Sequence, residues 1–324
     1  MISRPDFMGK QIIFIESDSS KKIKFRNSNF TVIDENNKTI IQHSFHKIFI
    51  VFVLGEFSIT SVLIKNAKKY AVPIIFLNYN LKPYFSVIPD NKGNFLLRKK
   101  QYSNDNDLEI AKNIVKNKVS NQIDLMKSLR YKTKNEKNNL KKAENLLFSI
   151  DKCLTSQELL GIEGNVSRIF FSIYFKNLNF QGRRPRARDD VFNLLFDIGY
   201  YYLFNFIEAN LELYGFDIYY GFYHKLFFQR KSLVCDLIES FRCIIDKKIK
   251  KGFNLKQIDL NNFDMKNGQY YIKKGFHKKY SKFFLEEILK YKEDIFLYVQ
   301  KYYRCFVKNK DIEHYPIFYI SDKK

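Results

Sequence analysis

Four side chains in three short segments carry the chemistry this sequence can offer. Glu163 lies in a Gly-Ile-Glu-Gly stretch, and His224 follows Gly221-Phe222-Tyr223. Asp236 and Glu239 are three apart between Arg230 and Arg242. Residues at that spacing share one face of a helix. Two or three carboxylates with one imidazole and no thiolate suit Mg²⁺ or Mn²⁺ better than a structural Zn²⁺. A metal held in this way polarises a phosphodiester and orients an in-line displacement. Each group also has an ordinary reading: a solvated acidic pair, a surface histidine, a helix break with an exposed glutamate. The two glycines around Glu163 are the local oddity. Each costs roughly 1 kcal/mol inside a helix, which suggests that something approaches the backbone closely there.

The charge narrows the substrate. The formal net charge is +22. Residues 1–100 carry 16 Lys/Arg against 7 Asp/Glu, and the rest carries 40 against 27, so the excess is spread along the chain. Such a field favours a polyanion, because each neutralised phosphate releases counterions. Nucleic acid leads, and an anionic membrane surface comes second. The 33 Phe and 22 Tyr reflect a general bias of composition and do not argue for base stacking.

The four cysteines form no Cys-x-x-Cys pair, which speaks against a thiolate zinc site. They read as reduced thiols in a cytosolic protein. No secretory leader and no membrane-spanning run of about 18 apolar residues is expected.

The elements that must position the four side chains fall into two groups. Residues 10–54 read as five strands, with turns at 18–20 and 35–37. Ser58 or Thr60 caps a short helix reaching Tyr70, and residues 73–78 and 84–88 add two strands. Composition changes at 89–93. From Asp107 the period is helical, with Leu108, Ala111, Val115, Val119, Ile123 and Met126 on one face. Further helices are expected over 138–150, from a Thr155/Glu158 capping box to about Tyr174, over 191–214 behind Asp189 or Asp190, and over 232–251. A turn at Asn267-Gly268 and a last helix over 277–307 precede a polar tail. The fold class is α+β: a small N-terminal β-rich domain (1–90), a linker (91–106) and a larger all-α metal-binding domain (107–324).

With those segments in that order, the chain resembles the CRISPR spacer-acquisition integrase family. Lys118, Asn121 and Gln122 match its Lys-x-x-Asn-Gln signature, and Glu163 its Gly-x-Glu-Gly segment. Asp190, Asn193, Leu195 and Gly199-Tyr200 match a further helix, with Phe196 where Leu is usual. Gly221 to His224 matches the turn before the family's ligand histidine. Arg230, Ser232, Leu233, Asp236, Leu237, Glu239, Phe241 and Arg242 match its last motif. Cys235 replaces a common Leu there, and Cys243 a common Pro.

The resemblance implies a cytoplasmic, prokaryotic, nucleoid-associated enzyme whose Glu163, His224 and Glu239 hold the metal and do the catalysis. Asp236 ligates weakly, orients another group, or contacts the metal through water. It implies a homodimer, with the N-terminal domain making dimer and partner contacts. The partner is a small ferredoxin-like CRISPR adaptation protein, and the substrate is duplex DNA, both spacer precursor and repeat. The reaction expected is attack of a spacer 3′-hydroxyl on a repeat phosphodiester. Arg183, Arg184, Arg186 and Arg188 are candidate phosphate contacts, and Lys273, Lys274, Lys278 and Lys279 a second candidate patch. A nuclease for branched DNA and a non-catalytic nucleic-acid scaffold are the alternatives.

Overall fold

The computed structural model describes residues 3–16, 21–89, 94–178, 180–225 and 227–320. Helix α1 (Arg4–Met8) precedes strand β1 (Gln11–Glu16). Strands β2 (Lys22–Arg26), β3 (Asn29–Ile33) and β4 (Thr39–Ser44) pair antiparallel in that order. Asn27 and Ser28 both take positive φ between β2 and β3, as a tight two-residue hairpin requires. The turn expected at 18–20 lies outside the described residues. The turn at 35–37 is present, with Asp34 Oδ1 accepting from the Lys38 N–H at 2.8 Å.

Strands β5 (Ile48–Leu54), β6 (Ile74–Leu77) and β7 (Pro83–Val87) join β1 in a sheet of order β1-β5-β6-β7. Strands β1, β5 and β6 run parallel, and α2 (Ser61–Lys69), capped by Thr60, crosses over from β5 to β6. Strand β5 is buried on both faces, which explains its unbroken apolar run. Its Phe49 and Phe52 rings lie 5.2 Å from Phe206 and 5.0 Å from Tyr202 in the helical part. Val51 and Val53 face a smaller core under α2.

The helical part holds α3 (Phe95–Tyr102), α4 (Asp107–Lys127), α5 (Lys134–Ser149), α6 (Ser156–Tyr174), α7 (Val191–Glu212), α8 (Ser232–Glu239) and α9 (Arg242–Asn254). A hairpin, β8 (Phe263–Lys266) and β9 (Gln269–Ile272), turns at Asn267-Gly268. Helices α10 (His277–Lys290) and α11 (Lys292–Val307) complete it. The region is therefore mostly helical, with one small sheet. Asp190 caps α7, and Gly215 at φ +81 follows its end. Helix α7 is buried almost throughout and is apolar because it is central. A Cβ on its Gly199 would lie 2.5 Å from Ile245 Cγ2 of α9 and 2.8 Å from Phe284 of α10.

Four expectations change. Residues 95–102, expected within a linker, form α3. Its buried Gln101 donates to the Asp217 and Tyr220 carbonyls at 2.8 and 2.7 Å and accepts from the Asp217 N–H at 3.0 Å. The single helix expected over 232–251 breaks at Ser240-Phe241, and that over 277–307 breaks at Tyr291. The C-terminal tail is not a polar appendage, because Tyr315, Phe318 and Ile320 are buried. Two amides one turn apart on α4 take up its backbone. Asn117 exchanges two hydrogen bonds with Phe318, at 2.7 and 3.0 Å. Asn121 donates to the Phe318 carbonyl at 2.9 Å and accepts from the Ile320 N–H at 2.9 Å. It also donates to the Ser240 carbonyl at 3.2 Å, one of the groups orphaned where α8 ends.

Asn121 thus joins α4, the α8–α9 break and the tail. Asn121→Ala should lower unfolding free energy by on the order of 3 kcal/mol, because buried backbone groups lose their partner. Urea denaturation checks this, and an unchanged midpoint would remove Asn121 from that role.

Candidate active site

Helix α4 supplies one face of the site. Lys118 and Gln122, four apart, point towards α6 and α8. The Lys118 ammonium contacts Glu163 Oε1 of α6 and lies 2.6 Å from Glu239 Oε2 of α8. Ser167, one turn on from Glu163, donates to the same Glu163 oxygen at 3.0 Å and accepts from Gln122 Nε2 at 3.3 Å. Arg242, just past the helix break, donates through Nε to Glu239 Oε1 at 2.9 Å. The break therefore matters for the site: it sets Glu239 at the end of α8 and Arg242 in the first turn of α9.

Glu239 is 4% exposed and could not stay charged alone. Burial pushes its carboxyl up, but Arg242 and Lys118 outweigh this and hold it at about 2. Burial likewise acts to lower the Lys118 ammonium, and Glu239 and Glu163 raise it above its ordinary value. The Arg242 guanidinium lies 4.5 Å over the Tyr200 ring, whose hydroxyl donates to Asp246 Oδ1 at 2.5 Å. Burial lifts the Asp246 carboxyl to about 7, despite the opposing pull of Tyr200 and Arg242.

Asp236 and His224 form a second pair. Asp236 is fully buried, and both of its oxygens are engaged. Oδ2 accepts from the Phe222 and Tyr223 N–H groups at 2.5 and 3.0 Å. Oδ1 accepts from the His224 N–H at 2.8 Å and meets His224 Nδ1 at 2.8 Å. A carboxylate at Nδ1 leaves the other ring nitrogen, Nε2, as the imidazole's outward donor or acceptor. Gly221 explains the glycine in this turn: a Cβ there would lie 2.7 Å from Asp236 Oδ2 and from the Ser232 carbonyl carbon. The Glu163 glycines behave differently. Helix α6 runs through both without a break, and a Cβ on Gly161 or Gly164 would meet nothing within 4 Å.

Lys118, Glu163, Glu239, Arg242, Tyr200 and Asp246 line a cleft of about 580 Å³, with Arg168 and Arg183 also on its walls. Among the described residues, no three His, Cys, Asp or Glu side chains lie close enough together to hold a metal ion. The arrangement is instead two carboxylates converging on one ammonium. The donor set still suits a hard divalent cation. Three buried polar atoms nearby also lack hydrogen-bond partners: Glu239 Oε2, Gln122 Oε1 and the Tyr223 hydroxyl. Burial raises the Tyr223 hydroxyl, and the nearby negative charges of Glu163, Glu239 and Asp236 add to the shift.

The basic loop does less than its composition suggests. Arg183 bonds Asp197 at 2.5 Å, and Arg188 lies 3.6 Å from the same buried carboxylate. Arg184 pairs with Asp189 at 2.6 Å and Asp190 at 3.2 Å, and Arg186 is exposed. Lys273 pairs with Asp264 at 3.2 Å, while Lys274, Lys278 and Lys279 are exposed away from the cleft walls. The reading from sequence passed over Arg242, Ser167, Tyr200, Asp246 and Tyr223 as site residues. Helical spacing held a signal for two of them, since Ser167 follows Glu163 by four and Arg242 follows Glu239 by three.

The family model described as CRISPR associated protein Cas1 matches residues 15–286. The chain belongs to that family. A curated relative, "CRISPR-associated endonuclease Cas1 1" of Thermodesulfovibrio yellowstonii, is 29% identical over 71% of this chain and 77% of its own length. The structure of a Cas6-RT-Cas1–Cas2 complex superposes with TM-score 0.83 at 17% identity. That match covers 96% of this chain and 36% of the other, so this chain spans about a third of its length. A casposase bound to integration product superposes with TM-score 0.78 at 18% identity, over 97% and 96% of the two chains. Both likenesses establish the fold. No helix among the described residues is long and apolar enough to cross a membrane.

Two outcomes follow from the site. Gly221→Ala should cost about 1–3 kcal/mol, because the added methyl forces the 221–224 turn off Asp236. A wild-type melting temperature would count against that packing. The folded protein keeps the Asp246 proton up to about pH 7, whereas the unfolded chain loses it near 3.8. A raised carboxyl makes stability fall as pH rises between those values. Asp246→Asn should remove that component, which urea titrations at several pH values would reveal as a flatter profile.

Proposed function

We propose that this protein is a metal-dependent DNA integrase of CRISPR adaptation. It would join the 3′-hydroxyl ends of a short duplex to the repeat of a CRISPR array. The observation that carries the reading is the pair of carboxylates from α6 and α8 converging on one cation, in a chain of this family that also fixes a histidine through Asp236. The likeness to a casposase bound to integration product supports joining, and the endonuclease name of the relatives supports strand cleavage.

Glu163, Glu239 and His224 Nε2 would hold Mg²⁺ or Mn²⁺, which supplies a Lewis acid that polarises the attacked phosphodiester and stabilises its developing charge. Asp236 orients the imidazole and does not ligate, since its oxygens are already committed to the 222–224 backbone and Nδ1. Arg242 holds Glu239 ionised and aimed. The chemistry is an exchange of esters. The spacer 3′-hydroxyl gives up its proton as its oxygen bonds to phosphorus, the repeat strand's own 3′-oxygen leaves and takes up a proton in exchange, and the number of phosphodiesters is unchanged. No external energy source is needed. Phosphate contacts fall to exposed cations such as Arg186, Arg168, Lys274, Lys278 and Lys279 rather than to Arg183 and Arg188.

The same reading includes a homodimer, a boundary between the two domains near residue 90, and a small ferredoxin-like partner. The Cas1–Cas2 assembly named for the superposed complex supports the partner. A cytoplasmic location at the chromosome follows from the substrate.

A nuclease working on branched DNA would use the same groups with water as nucleophile, and the relatives' name favours keeping it in view. The 3′ end separates the two. With Mn²⁺, a duplex carrying 3′-hydroxyls should yield a branched product with repeat DNA, and a 3′-dideoxy duplex should bind equally but yield none. Glu163→Ala should reduce joining at least a hundredfold without weakening duplex binding. Product from the dideoxy duplex would point to hydrolysis, and full activity of Glu163→Ala would remove the site.

A further inference from the structure

Lys118 is placed where a cation between Glu163 and Glu239 would be, and charge counting gives that position a consequence. Glu163 and Glu239 carry two negative charges. Lys118 and Arg242 carry two positive ones, so the four-residue site is neutral. Side-chain exposures are 12% for Lys118, 15% for Glu163 and 4% for Glu239, so water screens the cluster poorly. A divalent ion added to the intact cluster would leave two uncompensated positive charges beside Arg242. At these separations, repulsion between an ammonium and a divalent ion is large compared with the energy of an exposed ion pair.

Two further observations distinguish the cations. Arg242 donates through Nε to Glu239 with good geometry and is packed over Tyr200, so it is fixed. Lys118 stands 2.6 Å from Glu239 Oε2, yet that oxygen has no properly directed hydrogen bond. Its hold on Glu239 is electrostatic more than directional, whereas it donates a directed hydrogen bond to Glu163 Oε1. The side chain also borders the cleft, so the ammonium has space into which to turn.

We propose that Lys118 is a built-in counter-cation of the metal site: it keeps Glu163 and Glu239 together and charged before metal arrives, and the metal displaces it. This rests on the proposed metal-dependent function. Lys118 is then a positioning residue whose removal has opposite effects on the two states. Without metal, the buried carboxylates repel and the fold loosens. With metal, a competitor has gone.

The test is Mn²⁺ binding by calorimetry together with thermal melting, on the full chain without DNA. Wild type should bind one Mn²⁺ per chain, and Glu239→Gln should lose that binding. Lys118→Met should bind Mn²⁺ at least tenfold more tightly. It should also melt below wild type in chelator, and gain more from Mn²⁺ than wild type does. Lys118→Arg keeps the charge and should stay within about threefold of wild-type affinity. If Lys118→Met does not fold in chelator, Mn²⁺ should restore it, and failure to do so overturns the proposal. Affinity in Lys118→Met equal to or weaker than wild type also overturns it, while leaving the metal site standing. Wild type that binds no Mn²⁺ through Glu239 instead overturns the metal-dependent function itself.

Discussion

A carboxylate held out of water needs compensating charge, and Glu239 is where this chain meets that need. Its position at the end of α8 brings it against α4, and it stays ionised because Lys118 and Arg242 flank it. Much of the helical architecture can be read from this one ion. Helix α4 must present Lys118. The α8–α9 break must set Arg242 close behind the acid. Tyr200 of α7 must then support the guanidinium, and Asp246 must take the Tyr200 hydroxyl. A straight helix over 232–251 would keep the i,i+3 spacing but not the bend, nor the free Ser240 carbonyl that Asn121 captures.

The Lys-x-x-Asn-Gln segment gains a physical meaning from this arrangement. Its three polar residues reach three different elements from one helix. Lys118 takes the acids of α6 and α8, Asn121 the break and the C-terminal segment, and Gln122 the Ser167 hydroxyl. Helix α4 is thus a spacer between the two carboxylates as well as a core element. The opposite flank has its own brace. Gln101 of α3 pins 217–220, and Asp236 pins 222–224, so the turn before His224 is held at both ends. The His224 imidazole is placed by its Nδ1 contact with Asp236, on a turn whose backbone Asp236 also holds.

The two acids three apart illustrate how environment divides like residues. Asp236 and Glu239 share a helix and both are buried, yet one is satisfied by three backbone N–H groups and an imidazole, the other by two cations. The first is fully engaged within the protein. The second keeps an oxygen without a directed bond. Directed bonding to the backbone suits a positioning role, and charge pairing without a directed bond on one oxygen suits a ligand.

The sequence by itself determined what periodicity and turn chemistry control. The strands of the N-terminal part, the Thr60 cap, the Asp190-capped central helix and the turn at Asn267-Gly268 all follow local rules, and the four acidic and imidazole groups stood out by type and spacing. Tertiary structure decided what depends on neighbours distant in sequence. The parallel order β1-β5-β6 is one case, because a buried apolar strand shows its faces but not its partners. The burial of Tyr315, Phe318 and Ile320 is another, since their segment has no period and is held by amides about 200 residues away. The basic loop is a third. Arg183 and Arg188 look like a phosphate grip in sequence, and only the fold places buried Asp197 between them. Lys118 is the last. It was visible as part of a motif, but its contact with both acids requires α4, α6 and α8 to meet, which no local pattern encodes.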